Sequence, residues 1–143
     1  MCLDDFELIY ATSYTGILLD NLLSEYRISK RQMLEILRQV ACTLQEMHTA
    51  GLTHSDLKYD NICVDWMDWV GWSWRVPSVT LIDLGHAGRP GHVFRGVDFS
   101  VSFHYAPEVV TTGTSNLADI YSLGFMIKDI FRVDGGDIIP GSI

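Results

Sequence analysis

One stretch does most to constrain the fold, an amphipathic helical pattern that runs directly into a cluster of charged side chains. From Met33 the apolar residues Leu37, Val40, Leu44 and Met47 recur three or four apart, which paints a single stripe down one helix face. Ser29 followed by Gln32 is a capping-box start, and Gly51 supplies the stop. A stripe of that kind must lie against other elements. The eight residues that follow, HSDLKYDN from His54 to Asn61, are therefore delivered to the end of a packed helix.

Around that helix the pattern is mixed. Leu8 to Tyr10 reads as the end of a strand, Thr12 to Gly16 as a connector, and ILLDNLL as one or two helical turns. Ile62 to Val64 and Val79 to Ile82 read as short strands able to pair. Gly85 to Ser100 has little periodicity and reads as a long irregular loop. A last helix is expected over about Asn116 to Phe131, where Leu117, Ile120, Tyr121, Leu123, Ile127 and Ile130 wrap several faces and so predict a position inside the domain. Thr111, Thr112, Thr114 and Ser115 are expected to cap it, and the tail VDGGDIIPGSI to fray.

Composition narrows the partners. With 143 residues, 48% hydrophobic and 20% charged, the chain can build one core, and 10 basic against 18 acidic residues give a net charge of −8. That balance repels a nucleic-acid backbone or an anionic membrane, so neither is expected as a partner. The acidic start MCLDDFELIY does not resemble a signal peptide, and no apolar run reaches membrane-spanning length. Cys2, Cys42 and Cys63 lack metal-like spacing and fit a reducing compartment, so a soluble cytoplasmic location is expected. His48, His86, His92 and His104 share no zinc spacing and read as surface or loop residues.

All four tryptophans, Trp66, Trp69, Trp72 and Trp74, fall between the two short strands. They are expected to fold back onto their own lobe or to offer a patch to a protein partner, with a stacking surface for bases the least favoured reading in so acidic a chain.

The polar cluster suits phosphoryl transfer, which needs a carboxylate near the attacking hydroxyl, a cation against the moving phosphoryl group and oxygen ligands for Mg²⁺. Asp56 can take the proton, Lys58 can neutralise the phosphate and Asn61 can offer an amide oxygen; Asp60 is the weaker candidate. Asp83 in LIDLG adds a carboxylate after a strand, with Gly85 expected to make a sharp turn at positive φ beside bound phosphates.

With these residues in place the sequence resembles the eukaryotic protein-kinase family, serine/threonine type. HSDLKYDN, DLG at Asp83 to Gly85 and APE at Ala106 to Glu108 occur in the order of the family signatures H-R-D-L-x-x-x-N, D-F-G and A-P-E. ADIYSLG, with Asp119, Ser122 and Gly124, is similar to the family's central C-lobe helix, whose Asp anchors the catalytic loop. Lys58, two residues after Asp56, follows the serine/threonine pattern.

The resemblance implies an α+β fold, a protein-kinase-like C-lobe that is mainly α-helical with short β-hairpin strands around the metal site. It implies a partial kinase domain over 1–143, from hinge to central C-lobe helix, with an activation segment at about 83–108. It also implies ATP and Mg²⁺ as cofactors and a protein substrate. Asp56 and Lys58 would be catalytic, Asn61 and Asp83 would hold the metal, and Ala11, Ser13, Lys58, Asn61, Cys63, Asp83 and Gly85 would line the nucleotide. Ala11 to Ser13 would face adenine through their backbone, and Cys63 would lie beneath the ring.

Departures from the pattern carry their own expectations. Ser55 replaces the Arg that pairs with a phosphorylated activation loop, and Ser cannot form that bidentate contact. Leu84 replaces Phe and stays apolar. Before Leu8 the chain carries no glycine-rich loop, strand lysine or helix glutamate. The leading reading is transfer of the ATP γ-phosphate to Ser or Thr hydroxyls; the alternatives are a pseudokinase-like interaction module without turnover and a small-molecule kinase.

Overall fold

The structure, a computed structural model, describes residues 16–65 and 77–131. The expected strand at Leu8 to Tyr10, the hinge residues Ala11 and Ser13, the four tryptophans and the tail lie outside the described residues.

The capping box and glycine stop form as the sequence predicts. Helix α2, Lys30–Thr49, follows the short strand β1, Ile17–Leu18, and the helix α1, Leu19–Glu25. At its start the Gln32 amide donates to Ser29 Oγ (3.3 Å) while the Ser29 amide donates to Gln32 Oε1 (2.8 Å). At its end Gly51, at φ 77°, donates to the His48 carbonyl and Leu52 donates to that of Met47, the pair of bonds that defines a Schellman stop. The chain thus leaves α2 turned towards His54.

The apolar stripe of α2 then finds its cover. Met33, Ile36, Leu37, Val40 and Leu44 are buried against Leu19 and Leu22 of α1, Leu57, Ile62 and Val64, and against Leu123, Met126 and Phe131 of α3, Asn116–Phe131. Each such aliphatic side chain contributes about 1.5–3 kcal/mol on leaving water. This single core holds the sheet and both long helices together.

The sheet is antiparallel in the order β1-β2-β3, with β2 spanning Ile62–Asp65 and β3 spanning Ser78–Leu81. Ile17 pairs with Val64 and Leu18 with Cys63; on the other side Ile62, Cys63, Val64 and Asp65 face Leu81, Thr80, Val79 and Ser78. Gly16 enters β1 at φ 115°, with the Val64 backbone where a Cβ would stand, so glycine is required there. Gln39 of α2 grips the edge of β3 by donating to the Pro77 carbonyl (2.6 Å) and accepting from the Val79 amide (3.1 Å).

Helix α3 departs from expectation. Ala118, Asp119, Ser122, Leu123, Met126 and Phe131 are buried, but Leu117 is 75% exposed and Ile120, Tyr121 and Ile127 are also open. The described residues pack against one face only, and the apolar residues on the other exceed what they cover. At the start of α3, Ser115 Oγ accepts from the Ala118 amide, as a capping residue should, while Thr111 and Thr112 donate to the Glu108 carbonyl instead.

The irregular segment after β3 is short of repeating structure but well tied. Thr53 and Gly88 exchange two backbone bonds, Gly91 and His92 bond to Thr114, and Phe94 donates to Val109. Phe94, Ala106, Val109 and Ala118 form a second, smaller core beneath it. Three-residue 3₁₀ turns at Tyr59–Asn61 and Leu84–His86 and a four-residue one at Pro107–Val110 place the polar side chains considered next.

Candidate active site

The loop is built on one buried carboxylate. Asp119, 1% exposed, accepts from the amides of His54 (2.9 Å) and Ser55 (2.8 Å), so the turn leading to Asp56 is fixed to α3. His48 Nε2 meets the same carboxylate at 2.8 Å. The reading of His48 as a surface histidine is thereby corrected: the last turn of α2 points it inward at α3. Ser55 sits at φ 69°, a left-handed conformation that costs a non-glycine residue about 1–2 kcal/mol. The Asp119 bond and the contact between Ser55 Oγ and Thr53 Oγ1 (2.7 Å) offset that strain.

His54 carries the geometry across to β3. Its Nδ1 accepts from the Asp56 amide (3.3 Å), which leaves Nε2–H to donate to the Ile82 carbonyl (3.1 Å). The Ile82 amide in turn donates to the Asn61 carbonyl at 2.9 Å. Ile82 is held from both sides, and Asp83 follows it directly. Two segments far apart in sequence, the polar loop and LIDLG, are thus brought side by side by backbone and imidazole bonds.

Asp56 is the most heavily bonded side chain of the group. Its Oδ1 accepts from Tyr105 OH (2.7 Å) and His104 Nε2 (3.1 Å); its Oδ2 accepts from Asn61 Nδ2 (3.0 Å) and lies 3.5 Å from Lys58 Nζ. Burial alone would push its pKa up. The hydrogen bonds from His104 and Tyr105 and the attraction of Lys58 and His104 outweigh that, holding the carboxyl well below the usual range, so it is an anion at neutral pH. Burial and the Asp56 carboxylate push the Tyr105 hydroxyl the other way, so it stays a donor.

Asn61 spends both amide hydrogens on Asp56, on its carbonyl (2.7 Å) and its Oδ2, which leaves Oδ1 as the atom for a cation. Asp83 is exposed and accepts from the Gly85 amide (3.3 Å). The positive φ expected of Gly85 falls on Asp83 instead, at φ 56°. Asp tolerates that region because its short side chain bonds the backbone two residues on, and Gly85 is left inside the 3₁₀ turn. Leu84 is 58% exposed, and Cys63 is buried in β2.

An amide oxygen and a carboxylate are hard donors, the set that suits Mg²⁺ with phosphate oxygens and water completing its shell. Among the described residues no cluster of three or more His, Cys, Asp or Glu could hold a metal ion by itself. Two residues escaped sequence reasoning, His104 and Tyr105, although they immediately precede Ala106-Pro107-Glu108.

The comparisons with known proteins identify the family. The family model for the protein kinase domain matches residues 4–134, and the chain belongs to that family. It is 31% identical over 113 residues to the stress-activated protein kinase JNK of Drosophila melanogaster, which covers 78% of this chain and 27% of the fly protein. It is 32% identical over 114 residues to calcium-dependent protein kinase 27 of Oryza sativa subsp. japonica, covering 78% of this chain and 18% of that protein. For homeodomain-interacting protein kinase 1 of Mus musculus the figures are 32% over 108 residues, 75% of this chain and 8% of the mouse protein. The chain therefore spans less than a third of each of these relatives. No helix among the described residues is long and apolar enough to cross a membrane.

Proposed function

We propose that the chain is the catalytic lobe of a serine/threonine protein kinase, a partial domain running from hinge to central C-lobe helix with its activation segment at about 83–108. One observation supports the reading: Asp56, Lys58 and Asn61 lie within hydrogen-bond or ion-pair reach of one another, and bonds from His54 and Asn61 to Ile82 tie the segment that carries Asp83 to the same loop.

Asp56 accepts the proton of a substrate hydroxyl, which its ionised state equips it to do. Lys58 lies within reach of that carboxylate and offers its charge to the phosphoryl group. Asn61 Oδ1 and the Asp83 carboxylate hold the metal, and Gly85 keeps Asp83 oriented through its amide. Mg·ATP, when bound, supplies the phosphoryl group and neutralises its charge. Cys63 underlies the adenine and the backbone of Ala11 to Ser13 borders it. The choice of Ser or Thr acceptors rests on Lys58 two residues after Asp56.

Free Cys42 and Cys63 and the acidic charge fit a reducing, cytoplasmic setting. The tryptophan-rich run is a candidate surface for a protein partner; changing Trp66, Trp69, Trp72 and Trp74 to Ser abolishes capture of that partner if the rings make the contact. The reading as an interaction module without turnover is not favoured, because a scaffold has no use for Asp56, Lys58, Asn61 and Asp83 together.

A Mg·ATP thermal-shift titration of the protein that carries this chain tests the reading. Ligand at one hundred times Kd adds about 2.7 kcal/mol to stability, so the parent's unfolding midpoint rises and that of Asp83→Ala does not. Equal shifts in parent and variant, or none in either, would contradict the assignment.

A further inference from the structure

An open cavity of about 490 Å³ lies in the irregular segment that follows Asp83, lined by His86, His92, Phe94, Arg95 and Tyr105 among others. Its shape is fixed from below. Phe94 is buried, and its amide donates to the Val109 carbonyl (2.9 Å). Three rings stand edge-on to it, those of His86 and His92 at 5.4 Å and that of Tyr105 at 5.2 Å. Among the described residues neither imidazole makes a hydrogen bond, so packing holds the rings and leaves their nitrogens open to an occupant.

The wall is rich in donors that have no acceptor. Among the described residues the Arg95 guanidinium has no hydrogen-bond or ion-pair partner, and the amides of Arg95, Gly96 and Val97 donate to nothing. A guanidinium presents its N–H groups in a fixed fork that fits a carboxylate or a phosphate. In a chain of net charge −8 this is a local exception. Asp98, on the same wall, decides between the two anions. The Ser100 hydroxyl (2.6 Å) and amide (2.9 Å) both donate to its Oδ1 and lower its pKa, so Asp98 keeps its charge. Repulsion scales with charge, and a phosphate dianion meets about twice the opposition that a carboxylate does.

Tyr105 ties the cavity to Asp56, since it lines the one while its OH donates to Oδ1 of the other at 2.7 Å. One Tyr side chain spans the interval. An extended peptide advances about 3.3 Å per residue, so a chain that brings a hydroxyl to Asp56 reaches the cavity within about three residues. We propose that this cavity is a specificity subsite that takes an Asp or Glu side chain of the acceptor peptide, with Arg95 as the charged contact and His86 and His92 as flanking donors.

The inference rests on the reading of Asp56 as the base that receives the substrate hydroxyl, and its test does not require turnover. The protein that carries this chain is titrated by calorimetry, with Mg·ADP present, against degenerate peptide pools with a fixed central Ser. Each pool also fixes Glu, Gln, Lys or phosphoserine at one of the three positions on either side. Unfolding curves confirm that each variant is folded.

At one of those positions the parent binds the Glu pool about 10-fold more tightly than the Gln pool, the scale of one hydrogen bond between charged groups, and more tightly than the phosphoserine pool. Arg95→Gln removes the preference, Arg95→Glu turns it towards Lys, and His86→Gln or His92→Gln weakens it. Equal Glu and Gln affinities in the parent at every position, a Glu preference that survives in Arg95→Glu, or tighter binding of phosphoserine overturns the inference. So does an equal loss for all pools in Arg95→Gln, which a merely structural role for Arg95 predicts. A Glu preference that Arg95→Gln removes, without any phosphate transfer by the parent, supports the subsite and counts against the proposed function instead.

Discussion

Replacing Asp119 with Ala removes the support of the whole loop at one point. The amides of His54 and Ser55, both buried, lose their acceptor, as does His48 Nε2. An unsatisfied buried donor costs about 1–3 kcal/mol. His48 is partly open and can turn to water, so the two amides dominate, for a gross loss of about 2–6 kcal/mol. Relaxation of Ser55 from its left-handed conformation returns about 1 kcal/mol.

The expected net loss is about 1–5 kcal/mol, a large share of the roughly 5–15 kcal/mol that holds an ordinary domain together. Asp119→Asn keeps one carbonyl acceptor and turns an amide hydrogen on the other donor, so it should fall between parent and Ala. Urea unfolding gives the free energies, and hydrogen exchange at His54 and Ser55 gives the local effect. A loss under about 1 kcal/mol with both amides still protected would refute the claim that Asp119 carries the loop.

Two other outcomes follow from the same contacts. Gln39→Leu leaves the Pro77 carbonyl and Val79 amide without their partner and should cost about 1–3 kcal/mol by urea unfolding, with exchange rising first at Val79. Because the pKa of Asp56 is lowered on folding, its contribution to stability is present above the unfolded value of about 4 and is lost as pH falls through the folded one. The stability gap between parent and Asp56→Asn, followed by unfolding across pH, should therefore be flat near neutrality and narrow below about pH 4; a gap that widens on acidification would reverse the sign of the argument.

How much of this was legible beforehand depends on range. Helix α2 is written locally, in Ser29 with Gln32, the apolar repeat and Gly51, so its ends fall where the sequence puts them. The hairpin strands and the polar loop are likewise short-range patterns. The partners of Asp119 stand 64 to 71 residues away, and only the resemblance pointed to its role as an anchor.

His104 and Tyr105 escaped because the segment that holds them has no periodicity and reaches Asp56 through tertiary packing alone. Propensity favours Gly85 for the left-handed turn, but an Asp able to bond its own backbone takes it. The open face of α3 shows the same limit: an apolar pattern states what should be covered, not which residues cover it.

The central claim is that Asp56 is the base of a phosphoryl-transfer site. The most direct measurement is transfer of labelled phosphate from Mg·ATP to the Ser peptide pool by the protein that carries this chain, parent against Asp56→Asn, with unfolding curves confirming that both are folded. The account predicts measurable transfer by the parent and a loss of about 100-fold or more in the variant, the range expected when a general base is removed. Transfer by Asp56→Asn within about two-fold of the parent would contradict it.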